Sequence, residues 1–256
     1  MKAPLFSIIT ATYNAGATIG RTLESIDSQT FADYEHIIID GASTDKTLDI
    51  AAQHTDTRRH VISEPDRGLY DAMNKGLGYT SGQYLIYLNA GDKFHDAQTL
   101  QRIADAITDS GDPDIVYGQT DIVDDNGDYI GPRHLTAPDN LSLSSFAHGM
   151  VVCHQAFIVK KEIVGFYNTK FRYSADYEWC IRCLQRSHKN TGLAETVLVD
   201  YLNEGMTTRN RGKSLRERFK IMAYYYGFLP TLLRHIGFAA RAFKRKLNKT
   251  RHKTTR

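Results

Sequence analysis

Short apolar runs alternate with amphipathic segments through the first 110 residues. Leu5 to Thr10, Glu35 to Ile39 and Tyr84 to Leu88 are brief, mostly apolar and bounded by polar or glycine-containing turns, the pattern of buried strands, and His60 to Ser63 reads as a further short strand. Between them, apolar residues recur at helical spacing: Ile19, Leu23 and Ile26; then Leu69, Ala72, Met73, Gly76 and Leu77; then Leu100, Ile103, Ala104 and Ile107. These predict a helix from about Thr18, one from Leu69 to about Leu77 and one from Ala97 to Ser110. A further helix is expected from Lys46 to about Gln53. Thr18, and Ser43 or Thr44, are the expected caps. Strands separated by helices predict a parallel, doubly wound sheet, because parallel neighbours need a crossover. Ligands are then expected along the C-terminal edge of that sheet.

Beyond residue 110 the alternation stops. Ile115 to Gly118 reads as a strand, Ile122 to Ile130 as a hairpin turned at Asn126-Gly127, and Pro132 to Gly149 as an irregular, mobile loop. Gln155 to Val159 and Thr196 to Tyr201 read as strands, and Tyr177 to Gln185 as a helix. No Gly-x-Gly-x-x-Gly follows the first strand and no Gly-x-x-x-x-Gly-Lys-Ser/Thr occurs, so the dinucleotide and P-loop readings lose their main support.

Charge divides the chain unevenly. Residues 209–256 hold 15 Lys+Arg and one acid, Glu217, against 17 Lys+Arg and 28 Asp+Glu in residues 1–208. An acidic body therefore carries a basic tail, which suits an anionic membrane face better than nucleic acid. In the tail, Leu232, Leu233, Ile236, Ala239, Ala240, Phe243 and Leu247 fall on one side of a helix, with Arg241, Lys244 and Arg245 outside that stripe, as in an interfacial amphipathic helix. No apolar run reaches the ~18 residues of a spanning helix. Three cysteines, Cys153, Cys180 and Cys183, and no signal-like N-terminus point to a reducing cytoplasm.

Several strand ends carry chemistry: Ser7 to Asn14, Asp40-Gly-Ala-Ser-Thr-Asp45, Glu64-Pro-Asp-Arg-Gly-Leu-Tyr-Asp-Ala-Met-Asn-Lys-Gly76, Leu88-Asn-Ala-Gly-Asp92, His154-Gln155 and Ser174-Ala-Asp-Tyr-Glu-Trp179. In order and spacing this series resembles family 2 glycosyltransferases, particularly the bacterial branch that builds capsular, exopolysaccharide and O-antigen units. The resemblance implies an α/β GT-A fold: a Rossmann-like, mostly parallel central sheet with helices on both faces, followed here by the amphipathic helical tail. It also implies a nucleotide-sugar donor, a UDP-sugar being favoured, with Mn²⁺ or Mg²⁺, inversion at the anomeric carbon and a lipid-linked glycan acceptor at the cytoplasmic membrane face. The expected division is a catalytic domain over 1–205, with a nucleotide-binding half to 110 and an acceptor-binding half after it, and a membrane-associating tail over 206–256.

The resemblance also assigns roles. Asp92 is the expected metal ligand on the diphosphate, a carboxylate suiting a hard cation. The family usually has Asp where this chain has Asn89 and Gly91, which leaves one acid. Asp176 is the expected base, ranked above Glu178, because a carboxylate within roughly 3 Å of the attacking hydroxyl is required. Ala11, Thr12, Tyr13 and Asp40 are expected at the nucleoside, Arg67 at the diphosphate or base, and Asn89, Gly91 and His154 at the donor. Phe171, Tyr173, Tyr177 and Trp179 are read as core. Two rival readings are a nucleotide-sugar-binding module without turnover, suggested by Asn89 and Gly91, and a sugar-phosphate nucleotidyltransferase, disfavoured by the missing Gly-rich loop.

Overall fold

The computed structural model describes residues 2–203 and 210–238. Its first half follows the alternating pattern: β1 (Phe6–Thr12), α1 (Ile19–Asp27), β2 (Tyr34–Asp40), α2 (Thr47–Gln53), β3 (Arg59–Ser63), α3 (Leu69–Tyr79) and β4 (Tyr84–Tyr87). The strands lie in the order β3-β2-β1-β4, all parallel. Every residue of β1 is buried, and its alternate side chains feed two separate cores. Ile9 joins Ile37, Met73, Tyr87 and Trp179 on one face, while Phe6 and Ile8 join Tyr84, Ile86, Leu100 and Ile103 on the other. Gly76 lets α3 sit directly on the sheet, since a Cβ there would lie 2.5 Å from Ile9 Cγ2.

The remaining elements are β5 (Lys93–Phe94), α4 (Thr99–Asp109), β6 (Ile115–Val123), β7 (Tyr129–Pro132), α5 (Leu143–Phe146), β8 (Phe157–Lys160), α6 (Ala175–Arg186), β9 (Asn190–Leu202) and α7 (Arg211–Tyr226). They correct the expectation of a mostly parallel sheet. The order continues β4-β8-β6-β9-β5, with β7 on β6. β8 runs antiparallel to both β4 and β6, β9 parallel to β6, and β5 antiparallel to β9. The reason is visible in the chain: no long helix separates β6, β7 and β8, and strands joined without helical crossovers can reverse direction.

Local expectations meet mixed outcomes. The hairpin forms at Asn126-Gly127, where the Asp124 carboxylate accepts from the backbone N–H groups of Asn126 and Asp128. The expected caps do not form: Thr18 makes no side-chain bond to an α1 N–H, and the Ser43 hydroxyl is drawn to Asp40. Asp45 accepts from Thr47 N instead, at 3.0 Å. The segment from Pro132 to Gly149 is pinned rather than loose. Tyr117 Oη donates to Asp139 O and accepts from Leu141 N, Gln119 pairs with both backbone groups of Ala137, and Leu141 and Phe146 are buried.

The C-terminal elements complete this packing. Trp179 stacks on Tyr167 at 5.0 Å and meets Tyr87 edge-on at 5.5 Å, so with Tyr177 it fills core. α7 is fastened to the body: Glu217 accepts from Arg172 N and Tyr173 N, Tyr226 Oη donates to Leu143 O, and Ile221 and Met222 are buried. Residues 228–238 are helical. The rest of the predicted amphipathic helix, from Ala239 to Leu247, lies outside the described residues. No described helix is long and apolar enough to cross a membrane.

Candidate active site

The C-terminal ends of β1, β2 and β3 form one wall of a cleft. Thr12 O accepts from Gly41 N at 2.9 Å, and the buried Thr12 hydroxyl has no partner among the described residues. Tyr13 projects outward, 63% exposed, with its ring beside bare Gly41. Asp40 is wholly buried. Its carboxylate accepts from Ser43 N at 2.9 Å, from the Ser43 hydroxyl and from Ser63 Oγ at 2.7 Å, which locks the turn after β2. Arg67 points into solvent and pairs with Asp71 at 2.9 Å, beside a cavity also lined by Tyr70, Phe171 and Arg172. Asn74 and Lys75 are engaged elsewhere, Asn74 with the backbone of Tyr167 and Lys75 with Glu64.

Asp92 stands at the centre. It follows Gly91, whose φ of 103° and whose missing Cβ, which would come 2.7 Å from Leu202 Cδ2, exclude an acidic side chain from that position. Asp92 Oδ1 accepts from Leu202 N at 3.0 Å and Oδ2 from Gln155 Nε2 at 2.8 Å. Gln155 is itself oriented by the Cys153 thiol, which donates to its Oε1. Burial pushes the Asp92 carboxyl up to about 7, against the pull of these donors and of Arg21. Asn89 Oδ1 is buried with no hydrogen-bond partner among the described residues. An unsatisfied amide oxygen and a desolvated carboxylate on one short loop suit a divalent cation that prefers oxygen ligands.

Asp176 opens α6 across the cleft. Tyr70 Oη donates to its Oδ1 at 3.0 Å, and His154 Nδ1 lies 3.6 Å from its Oδ2. His154 and Gln155 are consecutive residues of one 3₁₀ turn (His154–Ala156), so a single turn touches Asp176 with one side chain and Asp92 with the next. The two carboxylates predicted from distant motifs therefore flank one site. Glu178 faces elsewhere: it binds Arg182 Nε through both oxygens at 2.8 and 2.9 Å and accepts from Tyr225 Oη at 2.8 Å. His148 is exposed.

The family model for glycosyl transferase family 2 matches residues 7–167. The chain is a family 2 glycosyltransferase. A PGL/p-HBAD biosynthesis glycosyltransferase of Mycobacterium bovis is 34% identical over 207 residues, 78% of each chain. The amylovoran biosynthesis glycosyltransferase AmsB of Erwinia amylovora is 25% identical over 95% of this chain and 84% of its own length. In fold, the chain is similar to S. aureus TarS 1-349 in complex with UDP-GlcNAc, with a TM-score of 0.70 at 17% identity over 91% of this chain and 73% of the other. It is also similar to the mannosyltransferase PcManGT of Pyrobaculum calidifontis in complex with GDP-Man and Mn²⁺, with a TM-score of 0.60 at 18% identity over 94% and 76%.

This glycosyltransferase also brings together residues that its sequence did not single out. Tyr70 belongs to a quoted motif, but the helical period put Leu69 inward, whereas the structure buries Tyr70 and leaves Leu69 half-buried. Arg133 follows β7 with its N–H on Thr120 O, and its charge acts on Cys153, His154 and Tyr201. No sequence signal marked it. His95, Asp121 and Asp200 form a group that could hold a metal ion, with ligand atoms within 4.8 Å of one another. Asp121 and Asp200 are register partners, so strand alternation turns both away from the face of Tyr201, the side chain that senses Asp92 and Asp176. Lys93 Nζ, 3.1 Å from Asp200, already supplies positive charge there. Cys180 and Cys183 are buried in α6, and burial raises both thiols, which makes them inert.

Proposed function

We propose that this enzyme transfers a sugar from a nucleotide-diphosphate donor, with a UDP-sugar favoured, to a hydroxyl of a lipid-linked glycan in cell-surface polysaccharide biosynthesis, with inversion at the anomeric carbon. The observation that carries the proposal is the turn at His154-Gln155, which sets Asp92 and Asp176 on two sides of one cleft. Inversion by direct displacement needs a leaving-group side and a base side, and the two carboxylates supply one each. Related enzymes named for PGL/p-HBAD and amylovoran biosynthesis support the pathway class, and the UDP-GlcNAc and GDP-Man complexes of similar folds support the donor class.

In this reading the nucleoside seats on the backbone of Ala11 and Thr12 and on the Tyr13 ring, with Asp40 fixing the floor of that seat. Arg67, paired with Asp71 at the surface, swings to the diphosphate. Asp92 and Asn89 would hold Mn²⁺ or Mg²⁺ beside Gly91, and the cation would offset charge developing on the diphosphate. Asp176 is the carboxylate on which deprotonation of the acceptor depends.

A position at the inner membrane face is part of this reading, and the exposed apolar residues of the C-terminal helix support it. Phe228, Leu229, Leu233 and Ile236 are exposed on helix 228–238, continuous in sequence with the basic residues that follow. Removal of the residues after Pro230 is expected to abolish sedimentation with anionic vesicles and to spare donor hydrolysis; undiminished sedimentation would refute the membrane role.

The test of function is nucleotide release from UDP-, GDP- and dTDP-sugars with Mn²⁺, with and without lipid-linked acceptors. Release that requires a donor sugar and increases with acceptor is expected. Tight donor binding with no release under any condition would favour the reading as a binding module.

A further inference from the structure

The cavity beside Arg67 has no part in the assignments above. It measures about 260 Å³, at the small end of ligand sites and suited to one sugar ring, and is lined by Arg67, Tyr70, Asp71, Thr169, Phe171 and Arg172. Tyr70 belongs both to this wall and to the site. Its Oη donates to Asp176 Oδ1 at 3.0 Å, so a single side chain separates the cavity from that carboxylate. The two oxygens of Asp176 face different neighbours: Oδ2 lies 3.6 Å from His154, in the turn that also holds Asp92, whereas Oδ1 meets the cavity wall. The wall that follows Tyr167 is fixed in place. Asn74 holds Tyr167 through both backbone groups, and Glu217 of α7 accepts from Arg172 N and Tyr173 N. The cavity is therefore tied to the helix that leads into the exposed apolar residues Phe228, Leu229, Leu233 and Ile236, the side on which a lipid-linked acceptor would arrive.

We propose that this cavity takes the terminal pyranose of the acceptor glycan, with Phe171 as the ring on which the sugar packs and Arg172 as its hydrogen-bond donor. The inference rests on the reading above that Asp176 serves the acceptor side. A pyranose has an apolar C–H face, which an aromatic ring covers, and a polar edge, which needs donors and acceptors. Phe171 is half-buried and packs on the core, which fixes its ring while part of it lines the cavity. The Arg172 side chain is exposed, and its guanidinium makes no hydrogen bond or ion pair among the described residues, although its backbone N–H is held. Its planar fork of N–H donors suits neighbouring sugar hydroxyls. Asp71 supplies the acceptor. It receives Arg67 N on Oδ2 and Arg67 Nη2 on Oδ1, so when the Arg67 side chain turns to the diphosphate, Oδ1 is released to accept from a sugar hydroxyl.

The assay is nucleotide release, with Mn²⁺, from the nucleotide-sugar that the full-length enzyme turns over. The probes are para-nitrophenyl glycosides of glucose, galactose, mannose, N-acetylglucosamine and rhamnose, each a single-sugar acceptor. At least one glycoside is expected to accelerate release along a saturable curve. Phe171→Ala should raise the KM for that glycoside by about 10–100-fold, with the KM for the donor moving less than about threefold in the same reactions. Phe171→Tyr, which keeps the ring, should stay near the wild-type value. Arg172→Ala should raise the glycoside KM by about 3–30-fold; because Arg172 is exposed, this variant tests the cavity even if Phe171→Ala fails to fold. Glycoside KM unchanged in both alanine variants would overturn the proposal. A donor KM that rises in step with the glycoside KM would also overturn it, by giving the cavity to the donor sugar. So would failure of every glycoside to accelerate release by an enzyme that turns over its donor. In each of these cases the proposed function stands. If the wild-type enzyme releases no nucleotide from any donor, the proposed function fails first and the inference with it.

Discussion

Asp92 offers a measurement that joins stability to metal binding. Its carboxyl, ordinarily at 3.8, is raised to about 7 by complete burial. The folded protein therefore keeps a proton on Asp92 across a pH range in which the unfolded chain has released it. With more protons bound in the folded state, stability falls as pH rises through that window. The contribution is fully present below about pH 4 and gone above about pH 7. At about 1.4 kcal/mol for each tenfold change in proton affinity, the whole effect is about 4 kcal/mol, of which up to about 3 kcal/mol falls between pH 5 and 7.5. Asp92→Asn removes the titration. Because the amide offers one acceptor oxygen to two donors, Leu202 N and Gln155 Nε2, the variant also loses about 1–3 kcal/mol at every pH. The informative quantity is therefore the slope of urea-unfolding free energy against pH, steeper downward in the wild type than in Asp92→Asn. Mn²⁺ with UDP needs the ionised carboxylate, so it should flatten the wild-type slope and bind progressively more weakly below pH 7. Parallel slopes in the two proteins, with Mn²⁺ affinity constant from pH 6 to 8, would refute the reasoning.

Further outcomes follow from other contacts. Asp176→Asn should abolish transfer while UDP affinity by calorimetry is retained; full activity would remove Asp176 from the acceptor side. Glu178→Gln should destabilise by about 1–3 kcal/mol in urea unfolding, because Arg182 and Tyr225 lose a charged partner, yet leave the rate per folded molecule unchanged. Gly76→Ala forces a methyl group against Ile9 and should cost about 1–3 kcal/mol, read as a lowered melting temperature with nucleotide affinity little altered.

The parallel half of the sheet was legible because its determinants are local. A strand of β1 or β2 type announces itself within six residues, and the helix after it by a period of 3.6. Phase was less secure, since Tyr70 and Leu69 differ by one position, and α3 turns far enough to bury the tyrosine. The mixed half depends on pairings across long separations that leave no periodic trace. β5 is two residues long and exists only because β9 returns beside it. The segment after Pro132 lacks a period because side chains of β6, Tyr117 and Gln119, supply its order.

At the site, the motifs located the chemical groups but not what surrounds them. Asp92 is held by residues 63 and 110 positions away, and Asp176 by one 106 positions away, so neither environment could be read from its own stretch of chain. That difference decides how the missing acids of the Asn89-Ala-Gly-Asp92 loop are understood. From sequence alone, Asn89 and Gly91 suggest a weakened metal site. In the fold, Gly91 is required by its backbone angle and by Leu202, and Asn89 keeps an oxygen in the place of an acidic oxygen, buried and without a hydrogen-bond partner among the described residues. A carboxylate there would have set two buried negative charges side by side in the unliganded protein, each raising the other's proton affinity. An amide beside Asp92 keeps the ligand oxygen without that repulsion. It follows that Asn89→Asp should strengthen Mn²⁺ binding only in the presence of UDP, where the cation offsets the second charge, and should lower the stability of the metal-free enzyme. Stronger Mn²⁺ binding without nucleotide and undiminished stability would show that charge repulsion is not what Asn89 avoids.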